Sequence, residues 1–182
     1  ETVDLSNGFL VVMQHPVTTE YDEARAQIEE TLHAVCEFEQ PTLWFWPNVD
    51  AGSDGTSKGI RVFREQYRDA RIHLFRNMLP EDFLRLLCSC SCIVGNSSVA
   101  IRECSFLGVP AVNIGTRQIG RERGPNVIDV AYEQRAIREA IGRHLDGPSP
   151  QRDTIYGDGR AGGRVADLLA TAELGFEKRL TY

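Results

Sequence analysis

The chain lacks any apolar run long enough to cross a bilayer. In its 182 residues, stretches such as Phe9–Met13 and Ala111–Val112 fall far short, because a spanning helix needs about 20 apolar residues. Runs of Lys and Arg are missing too: 20 basic residues are scattered against 26 acidic ones, for a formal net charge of −6. No electrostatic footprint for nucleic acid is present. The opening residues Glu1-Thr2-Val3-Asp4 form neither a basic nor an apolar leader segment, so no secretory signal is expected and the cytoplasm is the expected location. Five cysteines, Cys36, Cys88, Cys90, Cys92 and Cys104, cannot all pair; they read as thiols of a reducing compartment. The alternation Cys88-x-Cys90-x-Cys92 lacks the two-residue gaps of a zinc knuckle and has no histidine close by, so no metal site is expected.

What is present is enough apolar material, 42% of residues, for the core of one domain. Short β-rich apolar runs alternate with stretches of helical period. Strands are expected at 8–14, 42–46, 71–75, 92–95, 110–114 and 126–130. Helices are expected at 20–38, 57–69, 80–88, 98–107 and 133–145, with a last one at 161–172 lying over the sheet. Apolar strands separated by helices predict a doubly wound, Rossmann-like α/β domain, its parallel sheet flanked by helices on both faces. A loop rich in glycine and arginine, Gly115–Pro125, interrupts the alternation.

Ligands of open α/β sheets gather beyond the carboxyl ends of the strands. The residues there are Gln14-His15-Pro16, Pro47-Asn48-Val49-Asp50-Ala51-Gly52, Gly95-Asn96-Ser97-Ser98 and Gly115-Thr116-Arg117-Gln118. Such a set can bind an anion without opposing it with much negative charge. Gly95 permits a tight turn from strand to helix, Asn96 or Ser97 can cap the helix, and its free N–H groups then face outward, a seat for phosphate. Capping alone would also account for Asn96 and Ser97. Glu103, five residues past Ser98, would repel a phosphate but could accept hydrogen bonds from paired sugar hydroxyls. Phosphate at the turn and ribose on the acid suggest a nucleotide.

The segments Gln14-His-Pro-Val-Thr-Thr19, Pro47-Asn-Val-Asp-Ala-Gly-Ser53, Gly95-Asn-Ser-Ser98 with Arg102-Glu103, Asn113-Ile-Gly-Thr-Arg-Gln-Ile-Gly-Arg-Glu122 and Ile155-Tyr-Gly-Asp-Gly159 resemble, in the same order, the hydrolysing UDP-N-acetylglucosamine 2-epimerases. Non-hydrolysing relatives typically carry Asp-Ser-Gly-Gly where this chain has Asn96-Ser97-Ser98-Val99, and Arg-Arg-Glu-Asn where it has Pro16-Val17-Thr18-Thr19. The resemblance covers the C-terminal half of a two-domain, glycosyltransferase-B-like architecture. It implies elimination of UDP from UDP-N-acetylglucosamine to give a 2-acetamidoglucal, then hydration to N-acetylmannosamine, at the start of sialic acid synthesis. It implies no cofactor and no metal. By family match His15 is the catalytic histidine beside the diphosphate, Ser97 and Ser98 bind the diphosphate, Glu103 holds the ribose, the backbone around Phe83 reads the uracil, and Asn48 and Arg117 line the cleft. The family's acid/base carboxylates belong to the N-terminal catalytic domain, the implied partner in a homo-oligomeric full-length enzyme. This chain alone is therefore expected to bind UDP weakly and turn over nothing. Two alternatives share the fold: the donor-binding half of a UDP-sugar glycosyltransferase, and a nucleotide-sensing module without catalysis.

Other signals are weaker. Arg61 and Arg64 match a pair that in animal members of the family belongs to a feedback site for CMP-sialic acid; a solvated helix face yields the same i, i+3 spacing. Gly157-Asp-Gly-Arg-Ala-Gly162 fits G-x-G-x-x-G but follows no buried strand and reads as a loop. Asp50–Gly55 echoes a calcium loop, yet Gly52 and Arg61 stand where oxygen ligands are needed. Gly95–Val99 lacks the closing glycine of a hydrolase nucleophile elbow. His33, His73 and His144 read as surface or packing residues, and Trp44 and Trp46 as one core-facing row of a strand.

Overall fold

The computed structural model describes residues 3–173 and 175. Six strands, β1 (Leu10–Met13), β2 (Thr42–Phe45), β3 (Ile72–Phe75), β4 (Cys92–Gly95), β5 (Ala111–Ile114) and β6 (Val127–Val130), form one sheet in the order β3-β2-β1-β4-β5-β6. Every pairing is parallel. The helices are α1 (Ala24–Cys36), α2 (Ser53–Gln66), α3 (Pro80–Ser89), α4 (Glu103–Leu107), α5 (Gln134–Asp146) and α6 (Ala161–Thr171). This is the doubly wound α/β fold expected from the alternation of apolar strands and amphipathic helices.

The pleat sends alternate strand residues to opposite faces. Leu10, Val12, Trp44, Cys92, Val94, Val112 and Ile114 pack against Ile28, Leu32 and Val35 of α1, Ile60 and Phe63 of α2, and Ile137 and Ile141 of α5. On the other face Phe9, Val11, Leu43, Phe45, Ile93 and Ala111 meet Leu87 of α3 and Cys104 of α4. The cysteines are separated by position: Cys90, the C-cap of α3, belongs to the second core, and Cys92, the first residue of β4, to the first. Burial pushes the Cys90 thiol up to about 12 and that of Cys92 well above its ordinary value. They are protonated core residues.

Four expectations need correction. The helix expected from residue 20 begins at Ala24, after a 3₁₀ turn over Thr18–Glu23 in which Glu20 is non-helical. α2 starts at Ser53 rather than at residue 57, behind a left-handed Gly52; Gly55 and Gly59 blur the helical pattern of its first turns. The helix expected at 98–107 is two pieces, a 3₁₀ turn Ser98–Ala100 and α4, parted by Arg102 at φ −91°, ψ −69°. The Val99-Ala100-Ile101 run is poor in helix propensity, with β-branched residues at two of three positions. Lastly, α6 forms where expected but does not lie over the sheet, for none of its residues is buried.

Candidate functional site

Strand order reverses between β1 and its neighbour β4, the place where open α/β sheets bind ligands. At that point β4 ends in Gly95, with φ +135°. A Cβ on Gly95 would lie 2.2 Å from the Met13 carbonyl oxygen, so only glycine lets the two chains leave the sheet side by side. Asn96, fully buried, then uses its side chain on the neighbouring loop. Its Oδ1 accepts from the His15 amide at 2.8 Å and its Nδ2 donates to the His15 carbonyl at 2.7 Å. The Asn96 carbonyl in turn accepts from Gln118 Nε2 at 2.7 Å and Arg117 Nη1 at 3.3 Å. One asparagine thus joins the loops after β1, β4 and β5. The loop after β2 comes in through the Asn48 amide, which donates to His15 Nδ1 at 3.1 Å.

That last bond fixes the chemistry of His15. A ring nitrogen that accepts carries no proton, so the proton of the neutral ring sits on Nε2. The ring is buried, which lowers its pKa to about 4; the Arg117 cation pushes the same way and Asp50 opposes. At neutral pH His15 is therefore uncharged and offers one N–H donor. Beside it stand the Arg117 guanidinium and the turn at Ser97 and Ser98.

Ser97 caps the short 3₁₀ turn, its hydroxyl accepting from the Val99 amide at 3.4 Å. Of the two capping candidates, then, Ser97 caps and Asn96 does not. Because that turn is three residues long and α4 only five, neither brings a helix dipole of useful length to the serine turn. The donors the turn and its neighbours offer to an anion are local amides, hydroxyls, the His15 N–H and Arg117. One step on, Oε2 of Glu103 is buried without a hydrogen-bond partner among the described residues. An unpaired buried carboxylate oxygen is costly, and two sugar hydroxyls are the kind of donor that would satisfy it.

The structure gathers His15, Asn48, Ser97 and Arg117 around Asn96, with Ser98 and Glu103 following in the chain. Asn48 contributes its backbone, since its side chain is exposed. Phe83 lies apart on α3, its ring edge-on to Phe45 at 5.2 Å and its amide donating to the Leu79 carbonyl at 2.9 Å. That amide is spent; the first-turn amides of Glu81 and Asp82 are the free donors nearby. Arg61 and Arg64 are exposed on α2, at least 12 Å along the helix from its start at the site by the usual rise of about 1.5 Å per residue. Sequence reasoning placed Asn96 and Gln118 at this edge but not the bond that joins them, and it missed Glu20, whose carboxylate accepts from Gln27 Nε2 at 2.8 Å and from the Thr116 hydroxyl.

A family model described as UDP-N-acetylglucosamine 2-epimerase matches residues 1–170. The chain belongs to that family. Among curated epimerases, the UDP-N,N'-diacetylbacillosamine 2-epimerase (hydrolyzing) of Legionella pneumophila is 32% identical over 173 residues, 94% of this chain and 45% of the relative. The UDP-N-acetylglucosamine 2-epimerase of Neisseria meningitidis serogroup B is 33% identical over 131 residues, 72% of this chain and 34% of the relative. The chain thus spans less than half the length of the curated epimerases it matches. Among solved structures, the Methanocaldococcus jannaschii UDP-GlcNAc 2-epimerase in complex with UDP-GlcNAc and UDP superposes with a TM-score of 0.69 at 15% identity, over 91% of this chain and 46% of that one. At that identity the likeness concerns the epimerase fold, whose parallel sheet this chain shares. No helix among the described residues is long and apolar enough to cross a membrane.

Proposed function

We propose that this chain is the UDP-binding, C-terminal half of a hydrolysing UDP-N-acetylglucosamine 2-epimerase. The observation that carries the reading is the buried Oε2 of Glu103, which has no hydrogen-bond partner among the described residues and follows a serine turn that His15 and Arg117 flank. A carboxylate acceptor placed beside neutral and cationic donors fits a ribose followed by a diphosphate. Ser97, Ser98 and Arg117 bind the diphosphate; Glu103 accepts from the ribose hydroxyls; the first turn of α3 around Phe83 meets the base. In the elimination step the C1–O bond of the sugar breaks, its electron pair leaves on the β-phosphate, and the C2 proton passes to a base on the partner domain. The neutral His15 donates a hydrogen bond from Nε2 to the departing diphosphate, and Arg117 opposes its growing charge. Removing one donor from a preorganised site of this kind costs about 2.7–4 kcal/mol in the barrier. Addition of water to the resulting 2-acetamidoglucal gives N-acetylmannosamine. The family match favours this over the donor half of a glycosyltransferase.

The test is a calorimetric titration of UDP, UMP and ADP into the chain. UDP binds best, and Ser98→Ala, Arg117→Ala and Glu103→Ala each weaken it tenfold or more. Equal binding of UDP and ADP, or indifference to all three substitutions, overturns the site.

A further inference from the structure

The loop after β1 carries His15 and then turns through Thr18–Glu23, and this turn touches two other loops of the site. On one side it packs against Gly52 so closely that a Cβ there would lie 3.0 Å from Pro16 and 3.2 Å from Tyr21. On the other side one oxygen of Glu20 accepts the hydroxyl of Thr116, the residue next to Arg117 and 96 positions away. The second oxygen takes Gln27 Nε2 at 2.8 Å. Gln27 is anchored in α1, and its carbonyl receives the Gln14 side-chain amide at 3.3 Å, while the Thr31 hydroxyl donates to Gln14 Oε1 at 2.6 Å. Glu20 is thus fastened to the core at one oxygen and to the arginine loop at the other.

A carboxylate beside an anion seat works against the anion through its charge. The Glu20 oxygens are taken by neutral donors rather than by a cation, so their use at this place is mechanical. A diphosphate must meet His15 and Arg117 together, at a fixed separation, whereas a monophosphate can rest on the serine turn alone. We propose that Glu20 is a positioning residue, latching the arginine loop to the histidine loop so that the site distinguishes a nucleoside diphosphate from a monophosphate. The diphosphate part of this inference rests on the UDP-binding reading above.

Charge and latch predict opposite signs. If Glu20 acted only by its charge, Glu20→Ala would tighten UDP. If it is a latch, Glu20→Ala and Thr116→Val lower the ratio of UDP to UMP affinity at least fivefold with UMP affinity unchanged, which general loosening of the fold would not leave intact. Glu20→Gln restores the ratio, since its amide oxygen still accepts from Thr116 and a flipped Gln27 amide accepts from its NH₂. Calorimetry with both nucleotides on the chain and these variants reads the ratio. An unchanged ratio, tighter UDP, or equal loss of UDP and UMP overturns the latch. Hydrogen exchange on the ligand-free chain decides independently of any nucleotide: in Glu20→Ala the amides of residues 116–119 exchange at least tenfold faster while those of β5 do not change. Identical exchange overturns the latch. If the wild-type chain shows no preference for UDP, the functional reading fails and exchange alone judges the latch.

Discussion

His15 is a histidine the fold keeps uncharged, and that has a measurable cost in acid. Its pKa falls from 6.5 to about 4 through burial first and Arg117 second. Because the folded value lies below the unfolded one, the unfolded chain binds more protons between these limits. Stability from this group is whole above pH 6.5 and drains away as pH falls toward 4, a total of roughly 3 kcal/mol at about 1.4 kcal/mol per pH unit. Urea unfolding at pH 7 and pH 5 checks this: the wild type loses about 2 kcal/mol more than His15→Asn, whose side-chain oxygen still accepts from the Asn48 amide. In Arg117→Ala the imidazole titrates at a higher pH by NMR, though still below 6.5, since burial is the larger cause. Asn96 makes a second prediction at this scale. Asn96→Ala strips partners from both the amide and the carbonyl of His15 in a buried place, and should cost about 2–4 kcal/mol by denaturant unfolding. A loss below about 1 kcal/mol would mean that water replaces both bonds.

Among the elements, the contrast is between those the sheet fixes and the one it does not. Gly95 belongs to the first kind: with Met13 O only 2.2 Å from its would-be Cβ, Gly95→Ala must push β1 from β4 and should lower stability by at least about 2 kcal/mol. α6 belongs to the second. Val165, Leu168 and Leu169 face solvent, Leu168 with 68% of its surface exposed. A chain ended after Arg160 should melt within a degree or two of the parent by calorimetry; a fall of more than about 4 °C, the usual yield of 1 kcal/mol in a domain this size, would mean that the helix contributes to the core.

The strands and most helices could be read from the sequence because apolar period is a local signal; the order β3-β2-β1-β4-β5-β6 rests on pairing between distant segments, which that signal does not encode. The clustering of the candidate residues was readable as far as it follows from position: His15, Asn48, Ser97 and Arg117 each stand just past a strand. What escaped is what lies far apart in the chain. The Asn96 clamp on His15 spans 81 residues and the Glu20 bond to Thr116 spans 96, and no local spacing encodes either. The helix expected to start at the serine turn is interrupted for a local reason, the division of Ser98–Ala100 from α4 at Ile101 and Arg102.

Taken whole, the molecule leaves the loops of the candidate site open to solvent. Val49 of the loop after β2 is 99% exposed and Ile119 of the loop after β5 is 74% exposed, both on loops that frame His15. In the proposed two-domain enzyme these side chains face the other half, and the chain spans under half of the curated epimerases it matches. An uncovered cleft neither excludes water nor, in the proposed mechanism, holds the carboxylates that take the C2 proton. The chain incubated with UDP-N-acetylglucosamine should therefore release no UDP above the blank, followed by phosphorus NMR, while still binding UDP. Turnover by the chain alone would require a proton acceptor within it, and the proposed division of labour between two halves would fall with that result.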